Sequence, residues 1–129
     1  MANPKPRKLA KPNGAAVKAR GRNWENDLVK VFQDLGYEEA KRNGAIYGSH
    51  DRGDIGDVPL TVQAKAVDRI QLWKHLDDAL AQAANNGTGD EACVVYKRHQ
   101  AATEEAAWVF PGSFVEKLLR AYYGKDLDR

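Results

Sequence analysis

Three segments in the middle of the chain constrain its fold more than any other feature. Residues 60–65, LTVQAK, alternate in polarity as a strand does, and residues 92–96, ACVVY, form a short apolar run typical of a buried strand. Between them, residues 69–85 carry an apolar stripe at helical spacing, made of Ile70, Trp73, Leu76, Leu80 and Ala83. A strand, a helix and a strand in this order predict a crossover between two parallel strands.

The flanking segments extend this unit into a larger sheet. Further elements are expected as helices at 21–35 and 111–122 and as strands at 39–48, 54–58 and 108–110. Asn23 and Asp68 are expected to cap the first two helices, and Gly36 and Gly87 to end them. The order αβββαββα predicts a single α/β domain with a central mixed sheet flanked by helices.

The charged residues are unevenly distributed along the chain. Residues 1–22 contain seven basic residues and no acidic one, whereas residues 23–129 contain 13 basic and 18 acidic residues, a net charge of −5. Residues 1–20 are also proline-rich, which predicts a flexible basic arm ahead of a domain at 21–129. A basic arm on an acidic body indicates contact with DNA or RNA.

Several classes of protein are disfavoured by what the sequence lacks. It has no apolar run near 18 residues, which argues against a membrane span, and its basic start lacks the apolar region of a secretory signal. Cys93 is the single cysteine, so no intrachain disulfide can form, and its apolar neighbours predict a small core residue. A cytoplasmic protein without membrane contact is expected.

The polar face of LTVQAK is unusual for a strand that otherwise looks buried. Gln63 and Lys65 share that face, and burying them without partners would cost several kcal/mol. Asp54 lies nine positions before Gln63, and a hairpin-like turn would bring the two side chains together. Oxygen atoms of Asp54 and Gln63 would suit a hard divalent cation, with the Lys65 ammonium balancing charge nearby.

These residues resemble a known nuclease family. The pattern GDI…VQAK resembles the signature of the PD-(D/E)xK nuclease superfamily, and GRNWENDLVKVFQDLGY (21–37) is similar to the first helix of archaeal and phage Holliday-junction resolvases, with Glu25 as its acid. The resemblance covers about residues 20–115. It implies a restriction-endonuclease-like fold and a Mg²⁺-dependent DNA endonuclease, with Mn²⁺ as a substitute, that cuts four-way junctions as a homodimer.

The resemblance also implies roles for individual residues. The catalytic set would be Glu25, Asp54, Gln63 and Lys65, and the metal ligands Glu25, Asp54 and Gln63. Contacts to DNA would come from Arg20, Arg22, Arg42, Lys97 and Arg98. The dimer seam would use either the Trp73 helix or the C-terminal helix.

Gln63 departs from the family pattern, which has Glu or Asp at this position. The Gln63 amide oxygen could ligate the metal, Asp51 or Asp57 could supply the missing charge, or the site could be disabled. A disabled site would leave a non-catalytic DNA-binding module of the same fold. Flaps or restriction-type sites are alternative substrates for an active enzyme.

Other conspicuous residues have simpler interpretations. Trp24 and Trp73 are expected in the core, and His75 at the surface. His50 is expected in a solvated loop. Gln82 and Asn85 are expected on an exposed polar face near the end of the second helix.

Overall fold

The computed structural model describes residues 14–44 and 51–125. It contains helices α1 (Gly14–Asp34), α2 (Leu72–Asn86) and α3 (Gly112–Tyr123), and strands β1 (Lys41–Arg42), β2 (Ile55–Gly56), β3 (Thr61–Lys65), β4 (Ala92–Tyr96) and β5 (Ala107–Val109). A short 3₁₀ turn at Thr103–Glu105 precedes β5. The described chain is a mixed α/β fold, a small mixed sheet flanked by helices, with its elements in the predicted order.

The sheet is built around the predicted crossover. β3 and β4 pair in parallel with Thr61 opposite Ala92 and Lys65 opposite Tyr96, and α2 connects them. β5 adds to β4 in the antiparallel direction. β1 and β2 form a separate antiparallel ladder. The prediction of a parallel strand–helix–strand unit is therefore confirmed.

The two faces of this sheet bury different helices. Val62, Cys93 and Val95 pack in one cluster with Trp24, Leu28 and Phe32 of α1. The opposite face packs against α2 through Ala92, Val94, Tyr96, Leu76, Ala79 and Ala83. Each face removes apolar side chains from water, which is the main stabilising contribution to the fold. Cys93 is buried as predicted, and burial raises the pKa of its thiol to about 12.

One hydrogen bond fixes α1 to the centre of the sheet. The Trp24 indole Nε1 donates to the carbonyl oxygen of Val95 at 3.0 Å, and both residues are buried. A buried indole N–H requires such a partner, because leaving it unpaired would cost the free energy of removing it from water. The prediction that Trp24 belongs to the core is confirmed.

Both helix starts differ from the sequence-based expectation. α1 begins at Gly14, so residues 14–20, which were expected in the flexible arm, are helical and Asn23 is not a cap. This segment is alanine-rich, and its helix propensity outweighs its charge. α2 begins at Leu72, and Asp68 pairs with Arg20 at 3.3 Å instead of capping it. Residues 1–13 lie outside the described part.

The helix ends agree better with the sequence. Gly36 follows α1 with a φ of 105°, and Gly87 ends α2 in the left-handed conformation with a φ of 77°. Glycine adopts this conformation without steric cost, which is why it ends helices.

The buried face of α2 is rotated from the predicted one. Trp73, expected in the core, has 74% of its surface exposed, and His75, expected at the surface, is buried. The fully buried Ala79 and Ala83 pack against the sheet, and their small side chains bring His75 inward. His75 Nδ1 and the Tyr96 hydroxyl are hydrogen-bonded at 2.7 Å. Both predictions were therefore wrong.

The first expected strand is shorter than predicted. Within residues 39–48 the structure gives a strand only at Lys41–Arg42, and residues 45–50, including His50, lie outside the described part. In residues 14–44 and 51–125, no helix combines the length and the apolar character needed to cross a bilayer.

The contrast between two tryptophans provides a test of the fold. Trp24→Phe removes the indole hydrogen bond to the buried Val95 carbonyl, and we expect the free energy of unfolding to fall by about 1–3 kcal/mol. Trp73→Phe, on the exposed face of α2, should change it by less than about 0.5 kcal/mol. Urea denaturation followed by far-UV circular dichroism measures both. Equal losses for the two variants would contradict this packing.

Candidate functional site

Asp54 lies at the open edge of β3. The backbone N–H of Asp54 donates to the Val62 carbonyl at 2.7 Å, and the Ala64 N–H donates to Asp54 Oδ2, also at 2.7 Å. The carboxylate thus accepts the bond that a backbone carbonyl would accept in a continued ladder. The two bonds bracket Gln63, so Asp54 and Gln63 lie at the same level of the sheet, as the sequence predicts.

Two neighbouring residues hold this arrangement in place. Gly53 has a φ of +94°, and a Cβ there would lie 2.9 Å from the Val62 carbonyl oxygen, so only glycine allows the close approach to β3. The buried Asn43 donates from its N–H to the Asp54 carbonyl at 2.9 Å and from Nδ2 to the Gly53 carbonyl at 3.0 Å. No pattern in the sequence predicts this role of Asn43.

Asp54 and Glu25 open into one cleft of about 400 Å³. Its lining consists of Lys18, Gly21, Arg22, Glu25, Arg42, Gly44 and Asp54. Arg42 Nε donates to Glu25 Oε1 at 3.3 Å, and both side chains are partly buried. This cleft thus contains two residues of the expected catalytic set, Glu25 and Asp54, and two of the expected DNA contacts, Arg22 and Arg42.

Burial and neighbouring charges perturb the Asp54 carboxyl group. Removal from water, with smaller contributions from the negative charges of Glu25 and Asp51, raises its pKa to about 6. The Ala64 N–H bond and the Lys65 ammonium act in the opposite direction. At neutral pH the group is therefore mostly ionised in surroundings that disfavour its charge. A bound cation would relieve that cost.

Gln63 and Lys65 lie on the α2 face of β3, outside the residues that line the cleft. Gln63 is only 5% exposed, and its Oε1 has no hydrogen-bond partner in the described part of the chain. The half-buried Lys65 lies close enough to Asp54 and to His75 for its charge to lower both pKa values. Of the four expected catalytic residues, Glu25 and Asp54 therefore share the cleft, whereas Gln63 lies level with Asp54 on the α2 face and Lys65 acts on Asp54 through its charge.

Asp51 and Asp57, the two acids that could supply the charge missing at position 63, have different surroundings. Asp57 is exposed and pairs with Lys41 at 3.2 Å. The Asp51 carboxylate instead accepts a bond from Gln82 Nε2 at 2.9 Å, and the Asp51 carbonyl accepts one from Asn85 Nδ2 at 3.0 Å. Of the two acids, Asp51 is the one that raises the pKa of Asp54. Gln82 and Asn85, expected to be solvated, hold this loop against α2.

The remaining basic residues expected to bind DNA lie nearby. Arg20 and Lys97 line a smaller depression of about 70 Å³ with His99 and Asp68. The Lys97 N–H donates to the Lys65 carbonyl at 2.9 Å, so Lys97 lies just past the end of β4, beside the last residue of β3. Arg98 is exposed. Because Arg20 and Arg22 lie on α1, that helix contributes basic side chains to both concavities.

The oxygen atoms at the β3 edge are of the chemical type that binds a hard cation. Among the described residues, no group of three or more His, Cys, Asp and Glu side chains is arranged to hold a metal. The Asp54 carboxylate and the unpartnered Gln63 amide oxygen are nevertheless the oxygen donors that Mg²⁺ and Mn²⁺ prefer. The match is in ligand chemistry, with fewer charges than an all-carboxylate site.

Comparison of the chain with protein-family models, with curated proteins and with solved structures gives no match. The function is therefore argued from the site itself.

The raised pKa of Asp54 predicts a measurable effect on stability. Because the folded state holds this proton more tightly than the unfolded chain does, ionising Asp54 destabilises the metal-free protein as the pH rises from about 4 to about 6. Asp54→Asn keeps an acceptor for Ala64 and removes the charge. We expect it to raise the free energy of unfolding at pH 7.5 by about 1–3 kcal/mol.

Urea denaturation in EDTA at several pH values measures this effect. The gain should vanish below about pH 4, where Asp54 is protonated in both states. Asp77→Asn, at an exposed acid on α2, is the matched control and should show no such gain. A loss of stability in Asp54→Asn at pH 7.5 would contradict the proposed environment.

Proposed function

We propose that this chain is a metal-dependent DNA endonuclease with a restriction-endonuclease-like fold. The observation that carries the proposal is the placement of Asp54, whose carboxylate is tied to the edge of β3 level with Gln63, between the charges of Glu25 and Lys65. Acids whose pKa is shifted by burial, by neighbouring acids and by a cationic side chain cluster at functional sites, and metal-assisted phosphodiester hydrolysis uses such a set.

The surroundings of Asp54 suit a phosphate backbone. Lys18, Arg22 and Arg42 line the same cleft, and Lys97 lies beside Lys65 at the end of β3. Such side chains neutralise successive phosphates and position a nucleic acid without reading its sequence. The cleft therefore favours a polyanionic substrate over a small neutral one.

Each side chain of the site has a separate role in this proposal. Asp54 and Gln63 would hold the cation, which when bound polarises the phosphate and lowers the pKa of a water molecule. The bond from Ala64 fixes the orientation of the Asp54 carboxylate. Lys65 offsets negative charge on the phosphate as it builds up in the transition state.

Glu25 receives a different role from the one that the family resemblance implies. Its Oε1 accepts the bond from Arg42, so we assign Glu25 to holding Arg42 in the cleft, where the guanidinium can contact a phosphate oxygen. Expected as a metal ligand, Glu25 becomes a positioning residue in this proposal.

Four-way junctions are the substrate we propose, cut by a homodimer in the cytoplasm. Two symmetric cuts require two active sites related by a two-fold axis. An apolar groove of about 350 Å³ lies away from the basic cleft, between α1, β5 and α3, and α3 also exposes Leu119 and Tyr122. We place the dimer seam on this surface of α3, and the exposed Trp73 face of α2 is the alternative.

A cleavage assay tests the function. The full-length protein is mixed with labelled four-way junction, linear duplex, flap and single-stranded DNA in Mg²⁺, Mn²⁺ or EDTA. We expect paired symmetric nicks in the junction, abolished by EDTA and reduced by about 10²–10³-fold in Lys65→Ala, because Lys65 stabilises the transition state. Lys74→Ala, at an exposed lysine that pairs with Asp78, is the matched control and should cut normally.

Other outcomes of this assay favour other functions. Tight junction binding without cuts in either metal would favour the non-catalytic DNA-binding module, for which Gln63 is the main argument. Cuts confined to flaps or linear sites would keep the nuclease and change its substrate. Absence of both binding and cleavage would refute the proposal.

Restoring an acid at position 63 tests the metal role of Gln63. Gln63→Glu should raise Mn²⁺-dependent cleavage by about tenfold, because a carboxylate binds the cation more strongly than an amide. The same change should destabilise the metal-free protein, because it adds a buried negative charge level with Asp54. Gln71→Glu, exposed ahead of α2, is the control. Unchanged cleavage and unchanged stability would exclude this role.

A further inference from the structure

Three buried amide oxygens in the described residues lack hydrogen-bond partners, Asn43 Oδ1, Gln63 Oε1 on β3 and Gln82 Oε1 on α2, and the last two lie on elements that pack against each other. The orientation of the Gln82 amide is fixed, because its Nε2 donates to the Asp51 carboxylate at 2.9 Å. An unpaired buried acceptor loses its bonds to water without replacement, so two of them near each other indicate a missing partner.

The packing of α2 on β3 brings these two oxygens to the same region. The helix runs opposite to the strand: Asn86 near its end donates to Thr61 Oγ1 at 3.0 Å, whereas His75 near its start contacts Tyr96, the register partner of Lys65. Gln63 lies midway between Thr61 and Lys65 on the same face. Gln82 lies one turn before Asn86, so its side chain lies between α2 and β3 at the level of Gln63.

Two carboxylates, those of Asp51 and Asp54, lie beside this part of the α2–β3 interface. Asp54 lies level with Gln63 at the edge of β3, and Asp51 is held beside Gln82 by the bonds from Gln82 and Asn85. The negative charge of Asp51 acts on the Asp54 carboxyl group, so the two acids are near neighbours. Glu25 lies on the other side of Asp54, in the basic cleft, with one oxygen occupied by Arg42.

We propose that Asp51, Asp54, Gln63 and Gln82 form a binding site for one divalent cation of the Mg²⁺ and Mn²⁺ class, in which Asp51 supplies the charge that Gln63 lacks. Two carboxylates and two amide oxygens are the hard donors that such cations take. The role of this cation in cleavage rests on the proposed function, whereas its binding does not. A water molecule could satisfy two acceptors, but the two flanking carboxylates favour a cation.

Calorimetric titration of the full-length protein with Mn²⁺ tests the ligand set without DNA. We expect Asp51→Asn to weaken Mn²⁺ binding by at least about tenfold, and Gln82→Glu to strengthen it by about tenfold, because the first removes and the second adds a charge among the ligands. Asp57→Asn, an acid of the same loop that pairs with Lys41, is the matched control and should bind within about twofold of the original protein.

The variants are chosen so that a structural role gives a different result. If Gln82 served only to hold Asp51, Gln82→Glu would repel that carboxylate and weaken or abolish Mn²⁺ binding, which would overturn the inference. Equal affinity in Asp51→Asn would also overturn it, as would a loss in Glu25→Gln as large as that in Asp51→Asn. Thermal unfolding verifies that each variant is folded, and if Asp51→Asn is not, Gln82→Glu decides.

The cleavage assay separates this inference from the proposed function. Mn²⁺ binding with the expected pattern but no cleavage of any DNA would support the cation site and refute the nuclease. Metal-dependent cleavage with unchanged Mn²⁺ affinity in Asp51→Asn would support the nuclease and refute this ligand set. Absence of Mn²⁺ binding to the original protein would overturn the inference.

Discussion

The attachment of Asp54 to the edge of β3 is the interaction on which the rest of the structure depends. It joins the β1–β2 ladder to the three-stranded sheet, and it requires glycine at position 53 and the buried Asn43 beside it. An asparagine at position 54 would also offer an oxygen to Ala64 and would avoid the cost of a buried charge. That the chain carries a carboxylate whose pKa is raised to about 6 is therefore better explained by a ligand than by strand pairing.

The sequence predicts those parts of the fold that local patterns determine. Alternation in LTVQAK and the apolar run ACVVY suffice for two parallel strands, and the short segment from Asp54 to Gln63 suffices to bring these residues together. The phase of α2 was not predictable in this way, because the predicted and observed apolar stripes share Leu76 and Ala83, and a modest rotation about the helix axis exposes Trp73 and buries His75. The phase of α2 is decided by the close approach of the helix to the sheet that Ala79 and Ala83 allow. A count of large apolar residues gives these small side chains too little weight.

The site was predictable only where its residues are close in sequence or follow a family pattern. Asp51 contacts Gln82 and Asn85 more than thirty positions away, a loop-to-helix contact that leaves no periodic signal. Asn43 was likewise missed, because its two bonds go to the backbone of Gly53 and Asp54. An Asn followed by Gly is typical of an exposed turn, so the pattern does not predict that the Asn43 side chain is buried.

The substitution of an amide for an acid at position 63 has a physical logic within this arrangement. Gln63 is almost fully buried, and a carboxylate there would add a charge level with Asp54, where desolvation is already the largest cause of its raised pKa. Asp51 is exposed, so its charge remains hydrated at much lower cost. Moving a negative charge from the buried strand to the solvated loop lets the chain fold without a cation while keeping two acids beside the same part of the α2–β3 interface. The expected consequence is weaker cation binding than three buried carboxylates would give, because the Gly53 N–H, the Gln82 amide and solvent compete with the metal for the Asp51 oxygens.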